Sequence, residues 1–124
     1  MSVSNFLENT LLDLCFNATA YSGQSTVYVK LHTGDPGEAG TLLAATETTR
    51  KAVTFGAASA GTVTSDSEAA WTSVAATETY SHVSIWDDLT AGNCLWTGAM
   101  AASKAVTAGE DFRFATGALT VSLA

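Results

Sequence analysis

The sequence predicts an all-β fold, an antiparallel β-sandwich of jelly-roll-like type with one short N-terminal helix. Three observations carry this expectation. Apolar and polar residues alternate in several short runs, turn signals recur roughly every 8–12 residues, and no strand–helix–strand rhythm appears. With 124 residues, the chain has room for one core. Residues 1–124 therefore read as a single β-sandwich domain, with 1–24 as N-terminal helix and connection.

The helix comes first. Asn5 stands at a capping position, and Glu8 follows three residues later with the spacing of a capping box. Leu7, Leu11, Leu14 and Cys15 then recur at i, i+4, i+7 and i+8, one helical stripe that ends near Asn17. Such a stripe has to lie on a sheet or on a neighbouring subunit. Leu7, Leu11 and Leu14 are thus candidate interaction residues.

From residue 26 the period becomes two. In Thr26 to His32, Val27, Val29 and Leu31 share one face, opposite Tyr28, Lys30 and His32. The segment TGDPGEAG holds the only proline, Pro36, and reads as a tight loop. Further short strands are expected at Arg50 to Phe55, Ala69 to Val74, Thr79 to Trp86, Cys94 to Met100, Lys104 to Thr107, Asp111 to Ala115 and Leu119 to Leu123. In the fourth of the strands, Tyr80, His82, Ser84 and Trp86 would oppose Ser81, Val83 and Ile85. Val27, Val29, Leu31, Val83, Ile85, Leu119 and Val121 are the expected core.

Apolar residues make up 47% of the chain, which excludes a disordered tail, while only 14% are charged. Twelve acids against five cations give a net charge of −7. The cations Lys30, Arg50, Lys51, Lys104 and Arg113 are scattered, so neither nucleic acid nor an anionic membrane surface is an expected partner. No apolar run approaches the ~18 residues of a spanning helix. The first fourteen residues show no basic leader or cleavage pattern, so no secretion is expected. Cys15 and Cys94 read as two small buried hydrophobes, with a disulfide open should their Cα atoms fall within ~7 Å.

Chemistry finds little support. His32 and His82 lie in expected strands, and Ser81, next to His82, should point to the opposite face. No enzyme activity, cofactor or metal is expected. The pairs Asp87–Asp88 and Glu110–Asp111, and Asp35 with Glu38, read as solvated turn acids, with Asp87 and Asp88 the best placed for a cation. The three tryptophans suit a core. The alternative is a glycan platform at Trp86, Asp87 and Asp88, the one place where an aromatic adjoins polar loop residues.

Several ordered blocks, TVYVKLHTGDPGEAGT, RKAVTFGAAS, ETYSHVSIWD, GNCLWTGAM and KAVTAGEDFRFATGALTVSL, together with the helical NFLENTLLDL, resemble a family of small bacteriophage structural proteins described as tail-fibre-like. The resemblance covers nearly the whole chain. It implies a non-enzymatic virion component that decorates or cements the capsid or forms part of the tail or fibre. The alternative role is a receptor- or glycan-binding module at a fibre tip. Implied partners are further copies of the chain, as a trimer by analogy with fibre and decoration proteins, and the major capsid protein or tail proteins of the same phage. Assembly would take place in the host cytoplasm, where structural disulfides are rare.

Overall fold

A computed structural model describes residues 2–123. The elements in chain order are β1 (Ser2–Val3), α1 (Asn5–Phe16), β2 (Val27–His32), β3 (Lys51–Val53), β4 (Thr62–Thr64), β5 (Ala69–Trp71), β6 (Glu78–Trp86), β7 (Cys94–Val106), β8 (Phe112–Phe114) and β9 (Thr120–Ser122). Every pairing is antiparallel. Five strands form one sheet in the order β1-β7-β6-β2-β3, while β4–β9 and β5–β8 form two separate ribbons. The all-β class with one short N-terminal helix is therefore what the chain adopts.

The core lies between the sheet and the ribbons. Val29, Leu31, Val83 and Ile85 come from the sheet, and Trp71, Phe112 and Leu119 from the ribbons and their connections, all in one buried cluster. Trp71 packs against Phe112 and Phe114 at centroid distances of 5.9 and 6.0 Å. Its indole N–H donates to Thr49 O at 2.7 Å, tying the β5–β8 ribbon to the segment that enters β3. Of the expected core, Val27 and Val121 are only partly buried, because each sits near the margin of the cluster.

Four local expectations are corrected. The helix cap is Ser4, not Asn5. Ser4 is extended, its Oγ accepts from Leu7 N at 3.2 Å, and Asn5 is the first helical residue. The pairing of β1 with β7 sets this register: Ser4 N donates to Leu95 O and its hydroxyl to Cys94 O. Second, Cys94–Val106 is one strand where two were expected, its Ala-rich middle offering no alternation to read. Third, the β6–β7 register shifts inside that stretch. Tyr80 pairs with Lys104 and His82 with Ala99, so residues 100–103 lie opposite Ser81 alone. The irregularity inverts the facing of the strand. Tyr80 turns into the core against Phe112, at 5.2 Å, instead of sharing a face with His82 and Ser84. Burial holds the Tyr80 phenol up at about 12, and among the described residues its hydroxyl has no hydrogen-bond partner. Fourth, the same distortion brings Ser81 Oγ to within 2.8 Å of His82 Nδ1, a bond that regular alternation would forbid.

Candidate functional site

The face of the sheet turned away from the core carries a buried polar network. The pairings Lys30–Ser84, His32–His82 and Tyr28–Trp86 put these side chains on that face. His32 Nδ1 lies 2.9 Å from Leu42 O, His32 Nε2 lies 2.7 Å from Ser84 Oγ, and Trp86 Nε1 donates to Ser84 Oγ at 2.7 Å. A carbonyl only accepts, so Nδ1 carries the proton. Burial favours the neutral ring, and in it Ser84 donates to Nε2. Burial is the main cause holding its pKa below the ordinary histidine value, and the charges of Lys30 and His82 push the same way. His32 and Ser84 are both 0% exposed. Their Ser–His contact resembles an activated nucleophile in its distances, but no substrate can touch it.

A loop and a turn seal this face. Residues 33–44 return through Thr33 N to Leu43 O and Ala45 N to Leu31 O, and they bury Pro36 and Gly40. Gly40 has φ +69°, and a Cβ there would meet Cys94 Sγ at 2.6 Å, so only glycine fits. The turn 87–93 is held by Arg50. Its Nη1 donates to Asp88 O and Ala91 O, both at 2.8 Å, and its guanidinium lies 4.0 Å from the Trp86 ring centroid.

The candidate residues named from the sequence fall in two places. Trp86 is buried, and with Arg50 over its ring it offers no free stacking platform. Asp87 caps the turn, its Oδ1 accepting from Asn93 N at 2.7 Å. Asp88 Oδ1 accepts from Thr90 N at 3.3 Å. These carboxylates shape the turn, and among the described residues no group of three or more His, Cys, Asp or Glu side chains is arranged to hold a metal. On α1, Leu7 and Leu11 are half-buried and Leu14 is exposed, with Leu12, Phe16 and Leu123 exposed beside them. No residue of the helix is fully buried. No described helix is long and apolar enough to cross a membrane.

The cysteines divide. Cys94 is buried, and burial pushes its thiol up to about 11. Cys15, expected inside, is exposed near the C-terminal end of α1, where Leu14 and Phe16 are exposed as well. A thiol-reactive dye at neutral pH should therefore label one cysteine, Cys15, within minutes and Cys94 only after denaturation. Rapid labelling of both in the native protein would contradict this assignment.

The sequence singled out Trp86 and its two aspartates but missed His32 with Ser84, and Lys30 with Arg50. Both pairs are made across strands by residues far apart in the chain. The one usable signal was the register, had the hairpins been aligned.

A comparison with curated proteins finds no match. A family model, that of the podophage GP4 fiber I protein gp80, matches residues 2–122. The match spans every strand described above and the helix that caps on Ser4. With nearly the whole chain covered, this protein belongs to that phage fibre family and is a structural component of the virion.

Proposed function

We propose that this chain is a non-enzymatic fibre subunit that works by self-association, with helix α1 burying its apolar side against a second copy. One observation carries the reading: Leu12 and Phe16, four residues apart on one side of the helix, are 55% and 79% exposed, and no residue of the helix is fully buried. Leu12 also lines a shallow depression with Val3, Leu11, Leu123 and the single acid Glu8, so apolar surface continues beyond the helix. A fibre is built from repeated copies, and each copy must bury surface on the next. With a net charge of −7, like copies repel, so an apolar contact has to supply the attraction. Cyclic closure as a trimer would hide the surface on every copy.

The fibre family supports a place in the tail fibre over decoration or cementing of the capsid. Tail proteins of the same phage are then the neighbours, and the major capsid protein is not required. Burial of the His32–Ser84 pair supports the non-enzymatic reading. Assembly in the host cytoplasm fits an exposed, unpaired Cys15.

Light scattering on the purified chain is the test. The native protein should show a concentration-dependent mass above that of the monomer. Leu12→Asp and Phe16→Asp should each weaken association by roughly 2–4 kcal/mol while leaving the circular dichroism unchanged, since both side chains are already exposed. A native protein that stays monomeric at high micromolar concentration would defeat the reading.

A further inference from the structure

Lys30 and Arg50 stand together where electrostatics alone would separate them. The β2–β3 pairing ends with Val29 opposite Lys51; Lys30 and Arg50 are the next residue on each side, and both border one cavity. Like charges opposed across strands are destabilising. Desolvation lowers the Lys30 pKa, and the charge of Arg50 lowers it further. The chain holds twelve acids, yet among the described residues no ion pair or hydrogen bond engages the Lys30 ammonium, and the ion pair found there is Arg113–Glu68. Arg50 is held differently. Its Nη1 is committed to two carbonyls, its plane lies over Trp86, and Asp88 and Asp87 act on it from beyond ion-pair distance. These contacts fix the guanidinium in place beside a bare cation.

The two cations border an open cavity of about 470 Å³ whose other walls are Thr48, Thr49, Leu89 and Thr90. No carboxylate lines it. The volume falls within the range of small-molecule pockets and is far larger than a lone ion needs. The threonines supply hydroxyl and backbone groups, and Leu89, 49% exposed, adds one apolar surface. An anion placed between Lys30 and Arg50 would turn a repulsive pair into a two-sided clamp, in a place already partly withdrawn from water.

We propose that this cavity is an anion site for a carboxylate or phosphate carried on a hydroxylated, sugar-sized molecule. The oxyanion sits between Lys30 and Arg50, and the remainder lies against the threonines and Leu89. The site is independent of α1 and of self-association.

Nuclear magnetic resonance titration of the full chain with glucuronate, glucose 6-phosphate and uncharged glucose tests it. One or both acids should shift the Lys30, Thr49 and Thr90 amide signals saturably, and which acid binds tells carboxylate from phosphate. Glucose should do nothing. Lys30→Gln should weaken acid binding about tenfold, the loss of one charge-assisted contact. The same variant should melt no lower than the native protein, because it removes a repulsion and no hydrogen bond. Failure of both acids to give a saturable shift at tens of millimolar overturns the site. So does equal binding of glucose, or undiminished acid binding by Lys30→Gln.

Discussion

Trp71→Ala is expected to cost about 3–5 kcal/mol of folding stability, a large share of what a domain of this size possesses. Trp71 is 1% exposed and touches both phenylalanines of β8. Its removal empties the centre of the second layer, and the short strands around it cannot collapse to fill the space. The indole N–H also holds Thr49 O, so the truncation loosens the segment leading into β3. Trp71→Phe separates the two contributions. It keeps most of the apolar volume and loses the hydrogen bond, so it should cost roughly 1–2 kcal/mol. Urea denaturation followed by circular dichroism gives both values. A native-like midpoint for the alanine variant would mean that the β5–β8 ribbon contributes little to the fold.

Acidification is the second large effect, and it acts through His32. The ring is fully buried and neutral, with Leu42 O accepting from Nδ1 and Ser84 donating to Nε2. Lys30 and His82 are the charged or titratable groups that act on it, and both oppose protonation. The folded pKa therefore lies below the ordinary value near 6.5, which the unfolded chain retains. Between these two values the unfolded state binds more protons than the native state. Stability from the neutral ring is complete above about pH 6.5 and is lost as pH falls below it. Protonation of Nε2 would also force the Ser84 hydroxyl to give up its donation to the ring and to accept there as well as from the Trp86 indole. Urea midpoints of the native chain should fall between about pH 7 and about pH 5.5. In His32→Gln the midpoint should be lower throughout but flat across that window. A native midpoint that does not move over the same interval would refute the assignment of a neutral buried ring.

How far the sequence reaches depends on how local each decision is. Whereas the Ala-rich middle of β7 made one strand read as two, strands β2 and β6 were legible, because period-two burial marks each one without reference to its partners. Val29, Leu31, Val83 and Ile85 fell in the core for that reason. Pro36 and the glycines around it marked the loop that seals the outer face. Strands β1 and β4, with two and three residues, carry too few positions to show a period, and they exist only because β7 and β9 offer them hydrogen bonds. The cap moved to Ser4 for the same reason, since pairing with β7 fixes the backbone before the helix begins.

The helix α1 was legible, but the burial of its stripe was not local information: Leu7 and Leu11 are half-buried, while Leu14 and Cys15 are exposed. A stripe states which side is apolar, and only packing states whether anything covers it. The register irregularity opposite Ser81 decided the facing of Tyr80 and joined Ser81 to His82. A bulge arises from two strands together, so neither strand alone reveals it. His32 meets Ser84 across 52 positions, and Lys30 meets Arg50 across a hairpin whose register is set by the fold. The sequence by itself determined the class of the fold, the short helix, most of the core and the low charge of the surface. The tertiary structure alone decided which polar residues are sealed in, which cations are left side by side, and which apolar side chains remain exposed, because those are properties of pairs that only the folded chain brings together.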